Sequence, residues 1–163
     1  MLNSGDILAA EVLAVQVFGV FCASDKQEIQ VLIPEISWIA SFNSCVQFAS
    51  PGDQLRVKII HVDAAGGRIA GTIKGMYPDP WESNQFEVGT IFSSKVMRHV
   101  DQADRCDGQS GYLVELIPGS YAMLCEQNIS LTPGEHCSVI VNAVNRRQHA
   151  VRISLVSPNQ KAC

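Results

Sequence analysis

The sequence predicts an all-β chain built as two tandem five-stranded β-barrels. Three observations carry this expectation: apolar residues fall in short runs bounded by turn residues, no stretch holds a helical period of useful length, and one residue pattern occurs twice. SerProGlyAsp at 50–53 and ThrProGlyGlu at 132–135 lie 82 residues apart, and the same offset pairs Val57 with Val139, Val62 with Val144 and Ile73 with Leu155. Upstream, GlyAspIleLeuAlaAlaGluValLeu from Gly5 matches GlyThrIlePheSerSerLysValMet from Gly89 at an offset of 84. The middle of the module therefore changes length between copies.

In the first copy, strands are expected near 6–15, 18–24, 29–34, 54–62 and 68–75. ProGlyAsp at 51–53 supplies the turn before the fourth strand, because proline fixes φ and glycine tolerates positive φ. AlaAlaGlyGly at 64–67 closes a hairpin into the fifth. Between the third and fourth strands, residues 35–48 have room for one or two helical turns, with Ser37 or Ser41 as caps. TyrProAspProTrpGluSerAsn at 77–84 reads as a linker, which sets the domains at 1–82 and 83–163. Five short strands with a helical segment after the third fit the oligonucleotide-binding (OB) barrel, in which closure removes exposed sheet edges. A small sandwich is the competing fold.

Composition narrows the function classes. Apolar residues make up 47% of the 163 and charged residues 17%, enough for a core and unlike a disordered chain. No run reaches the ~18 apolar residues of a spanning helix, and the amino terminus lacks the basic head of a secretory signal, so a cytoplasmic protein with no membrane partner is expected. The six cysteines form no CxxC pair and sit mostly in apolar stretches, which predicts reduced, structural thiols. His61, His99, His136 and His149 are dispersed, so neither a metal nor another cofactor is expected. Catalytic signatures such as GxSxG or a P-loop are missing, and an enzyme is not expected. The net charge is −4, and the excess lies in the first half, with nine acids against five bases up to Glu82. Nucleic acid would have to meet a local basic patch.

Beyond these patterns, the first copy resembles the S1-type (ribosomal protein S1) RNA-binding domain of the OB-fold family. The resemblance rests on GlyAsp at 5–6 with its alternating apolar residues, PheGlyValPhe at 18–21, IleProGluIleSerTrp at 33–38, ProGlyAsp at 51–53, ValLysIleIleHisValAsp at 57–63 and GlyArgIle at 67–69. It implies an RNA-facing surface with two aromatics from the second strand, a third-strand histidine, an acid after the fourth strand and an arginine opening the fifth. Phe18, Phe21, Asp63 and Arg68 stand at four of these positions, and Pro34 at the histidine's. Aromatic faces stack on unpaired bases and an arginine adds stacking with a phosphate contact. Lys58 projects from the fourth strand as a further basic candidate, with a solvated lysine as the plain alternative. Three residues apart on a strand, Phe18 and Phe21 would point to opposite faces unless Gly19 allows a bulge. Trp38 and Trp81 are expected as packing anchors.

The second copy resembles the family in frame but departs at all five positions: Ser110, Leu113, Cys125, Asn145 and Ala150 replace the two aromatics, the histidine, the acid and the arginine. Its first hairpin loop, 98–110, is long, polar and expected to be mobile. Two functions stay open. The first is a non-catalytic module whose first barrel binds single-stranded RNA, with the ribosome or another protein as a further partner. The second is a protein-interaction scaffold, such as an immunity, antitoxin or regulatory protein, on a barrel that has lost RNA binding.

Overall fold

The structure, a computed structural model, describes residues 2–63 and 65–156. Ala64, expected in a turn, and Cys163, expected as a thiol, lie outside the described residues. The chain parts into two compact units, Met1–Ser37 with Asn43–Pro78, and Trp38–Phe42 with Asp79–Cys163.

The first unit is a closed barrel of β1 (Ile7–Val15), β2 (Gly19–Ser24), β3 (Gln27–Leu32), β4 (Gln54–Asp63) and β5 (Arg68–Thr72), ordered β1-β2-β3-β5-β4. All its ladders are antiparallel except β3 with β5. Alternation drives the closure: Val12, Val20, Cys22, Ile29, Val31, Val57 and Ile59 point inward and are fully buried or nearly so, while the outward positions mix polar residues with exposed Ile7, Leu13, Leu32 and Ile60. Two expected strands end early. Residues 33–35 form a 3-10 turn, because Pro34 lacks the N–H a ladder needs. The fifth strand stops at Thr72, whose hydroxyl accepts the Gly75 N–H at 3.0 Å and nucleates a 3-10 turn over Lys74–Met76. The helical turn between β3 and β4 falls at Cys45–Gln47, capped by Ser44 rather than Ser37 or Ser41.

The second unit repeats this topology with β6 (Ile91–Val100), β7 (Gly111–Ile117), β8 (Ser120–Leu124), β9 (His136–Asn145) and β10 (Ala150–Leu155), ordered β10-β8-β7-β6-β9. The sequence offsets reappear as hydrogen-bond register. Ile7 faces Lys58 as Ile91 faces Ile140, and the bulge at Val12/Ala14 recurs at Val96/Arg98. Gly52 and Gly134 both take φ near +95° and donate to the carbonyls of Val12 and Val96, a turn that only glycine enters without strain.

Five residues from the middle of the chain complete the second unit. Ile39 is 2% exposed in its core beside Trp81 and Phe86. The Trp38 and Ala40 N–H groups donate to the carbonyls of Gly119 and His149, and the Ser41 hydroxyl to that of Tyr121 at 2.6 Å. Trp81 acts as the expected anchor. Its indole N–H donates to the Trp38 carbonyl at 2.6 Å, its ring stacks on His149 at 5.1 Å, and its backbone N–H is held by Asp79 Oδ1. Asp79–Glu82, read from the sequence as linker, thus lies within the second unit.

Candidate nucleic-acid interface

The candidate surface of the first barrel starts from the register of β2 against β3. Phe18 precedes β2, which begins at Gly19, so strand alternation does not separate it from Phe21. Their rings meet edge to face, centroids 5.9 Å apart. Phe18 is 52% exposed and Phe21 half-buried. A Cβ at Gly19 would lie 3.2 Å from the Val31 carbonyl oxygen, so glycine lets the start of β2 approach β3 closely. The end of the barrel around Phe18 is apolar: Val17, Leu32 and Val46 are also exposed, drawn together by the Cys45 N–H to Val17 carbonyl bond, the Ile33 N–H to Phe18 carbonyl bond and the Gly19–Leu32 pair.

Arg68 opens β5 and pairs with Asp63 across the β4–β5 hairpin. Asp63 is already used locally. Its Oδ1 accepts the N–H groups of Ala65 and Gly66, both at 3.1 Å, and so closes the turn that presents Arg68. Phe21 faces Gln30, Gln30 faces Ala70 and Ala70 faces His61, a row running outward across four strands. Arg68 lies two residues from Ala70 and therefore on the same outer face. With strands about 4.8 Å apart, Arg68 stands two strands from the aromatic pair.

Two expected positions change. Pro34 is not on the third strand; the β3 residues beside the aromatics are Gln30, paired with Phe21, and Leu32, paired with Gly19. The corresponding register in the second barrel places Cys125 opposite Gly111, which makes Leu32 its counterpart. Lys58 is not brought to the aromatic pair: β4 is bonded to β1 and β5, and Lys58 sits between Ile7 and Thr72. Sequence reasoning missed Gln30, whose signal is visible only in register. Its side chain makes no hydrogen bond among the described residues and lies directly beside Phe21.

In the second barrel this face is covered. Leu113, at the place of Phe21, is fully buried, and Met123, at the place of Gln30, nearly so. The loop after β6 is organised rather than loose: Asp104–Cys106 form a 3-10 turn, and the buried Ala103 accepts from Cys106 and Gly108. Cys106 and Cys125 form a disulfide, which overturns the expectation that these two are reduced thiols. They lie 19 residues apart in sequence, and register brings them together. Cys22 and Cys45 are free, and burial pushes both thiols up to about 11, with Glu28 adding to the effect at Cys22. Among the described residues no group of three His, Cys, Asp or Glu could hold a metal, and no helix is long and apolar enough to cross a membrane.

A closed five-stranded barrel with an aromatic pair at the start of its second strand defines the class: an OB-type fold. Residues 2–74, which span the first barrel, match the model of the S1 RNA binding domain. Across 98% of its length the chain is 27% identical to the small ribosomal subunit protein bS1 of Staphylococcus saprophyticus, and it spans 42% of that protein. Half of it is 35% identical to the polyribonucleotide nucleotidyltransferase of Streptococcus mutans, covering 11% of that enzyme. Among solved structures, GSP13 from Bacillus subtilis aligns over 55% of this chain and 75% of its own, at 22% identity and a TM-score of 0.43.

Proposed function

We propose that the chain is a non-catalytic, cytoplasmic RNA-binding module that grips a short single-stranded segment on the first barrel. The edge-to-face pair of exposed Phe18 and half-buried Phe21, on a barrel that matches the S1 family model, is the observation that carries this reading. An aromatic pair that offers a ring face to solvent is a platform on which an unpaired base stacks, at ~1–3 kcal/mol per base. Arg68 supplies a phosphate contact from the same face, and Asp63 acts by shaping the turn that carries it. The resemblance to bS1 extends the reading to ribosome-associated RNA as the natural setting.

Charge must contribute little. The first half carries nine acids against five bases, and those bases are not all on one face. Neutralising two or three phosphates gives an expected slope of roughly −1.5 to −2 in log K against log salt, at about −0.7 per phosphate for single strands. The test is a salt-titrated binding measurement of the full chain with short single-stranded RNA, before and after Phe18→Ala with Phe21→Ala. Loss of binding supports stacking. Binding that the double change leaves intact, or none at low salt, rejects it and favours the protein-interaction scaffold, for which the apolar end at Val17, Leu32 and Val46 would be the contact.

A further inference from the structure

We propose that Cys106 and Cys125 form a reversible thiol–disulfide site, exchanged by a low-molecular-weight thiol of the glutathione class, whose redox state sets whether the loop at 101–110 is tied to the second barrel. The bridge joins that loop to the residue that follows β8. Its seat is prepared in β7. A Cβ at Gly111 would lie 2.9 Å from Cys106 Sγ, 3.0 Å from the Leu124 carbonyl oxygen and 3.3 Å from Met123 Cγ. Gly111 does not take a positive φ, so glycine is there for space: it lets the loop sulfur settle over the start of β7 against Met123. Met123 is thereby held at 5% exposure beside its partner Leu113.

The loop owes its shape to bonds other than the bridge. The Ala103 carbonyl accepts the Cys106 and Gly108 N–H groups, the Ala103 N–H donates to the Gln109 carbonyl, and the Gln109 N–H donates to that of Cys106. Gln127 Nε2 reaches the Ser110 carbonyl at 3.1 Å. Breaking the bridge therefore releases a preformed turn from the end of β8, while the ladders of β7 with β6 and β8 stay paired. Cys106 is 7% exposed and Cys125 is the more open of the two. A thiolate accordingly attacks Cys125 Sγ: a mixed disulfide forms, the bridge breaks, and Cys106 leaves as a thiolate that takes up a proton. A second thiolate attacks the small-molecule sulfur of the mixed disulfide and releases Cys125. Two electrons pass to the protein and two small thiols become one small disulfide; oxidation by that disulfide runs the same steps in reverse. Bridges in a reducing compartment are mostly exchanging ones. The setting thus rests on the cytoplasmic reading above, whereas the chemistry does not.

The full chain is equilibrated in mixtures of reduced and oxidised glutathione, alkylated without denaturant and mapped by peptide mass. Cys106 and Cys125 should pass together from bridged to alkylated as reduced glutathione rises, while buried Cys22 and Cys45 stay unlabelled. Amide exchange at 103–109 should become roughly tenfold faster on reduction, with Val114 and Leu124 still protected. Cys125→Ser and Cys106→Ala should each show the fast-exchanging loop in every mixture. RNA affinity through Phe18 and Phe21 should be the same in both redox states, so failure of this proposal and failure of the RNA reading are told apart. A bridge that survives excess reduced glutathione, or never forms in the oxidised form, would overturn the proposal. So would loop exchange that ignores the bridge, or a reduction that strips protection from Val114 and Leu124.

Discussion

The two barrels share a strand order and most of their hydrogen-bond register, apart from a bulge at Glu115/Ile117 that the β2–β3 hairpin lacks, and differ in what lies over one face. In the first, Phe18 and Phe21 stand open beside Gln30 and Leu32; in the second, Leu113 and Met123 are sealed under a loop tied to Cys125. The comparison teaches that the frame of such a barrel is set by inward alternation and by two glycine turns, neither of which constrains the outer face. Outer residues can then be exchanged, covered or tied down at little cost to the core.

The largest effect that would break this comparison is on the second core. Ile39→Ala should destabilise the second barrel by about 2–5 kcal/mol, the usual range for a buried isoleucine truncated to alanine. Hydrogen exchange would show it as lost protection at Val114 and Leu124, with Val20 and Ile29 less affected. Equal loss in both barrels would show that the two do not unfold separately. Next, Leu113→Phe tests whether an aromatic can simply be restored. Because Leu113 is fully buried, the added ring should overpack the site by about 1–3 kcal/mol and confer no base stacking. A stable variant with new RNA affinity would contradict the covered face.

Smaller effects sharpen the picture within the first barrel. Phe21→Ala alone should cost ~1–3 kcal/mol of RNA affinity. Gln30→Ala should cost about 0.5–1.5 kcal/mol, the net worth of one hydrogen bond, and should narrow any difference between adenine and uracil homopolymers. Arg68→Ala should reduce the salt slope by about 0.7, whereas Lys58→Ala should change it less, because Lys58 pairs with Ile7 and Thr72 and stands outside the row that runs from Phe21 to His61. Homopolymer binding compared at two salt concentrations measures all three.

Much of the frame was legible in the sequence, since the offsets of 82 and 84 residues are the same shifts that relate the two sets of strand pairs. Those repeats mark glycine turns and inward valines, both local in cause. The third strand was misread because Pro34 follows a good β-run, yet its missing N–H ends the ladder at Leu32. Placing Phe18 with Phe21 required knowing where β2 begins. The partner of Cys106 and the destination of Ile39 were not legible at all, because each is fixed by tertiary register with no spacing signature of its own.

The passage of residues 38–42 through the second unit bears on how such a protein can be divided by recombination. The chain changes unit after Ser37, after Phe42 and after Pro78, so the modules are interleaved in the gene rather than strung end to end. A fragment ending at residue 82 would carry off Ile39 and Trp81, which belong to its neighbour's core. Duplicating, deleting or transplanting either barrel by a single crossover would therefore leave one partner incomplete. The two barrels are both complete only when the whole run from β1 to β10 is kept together.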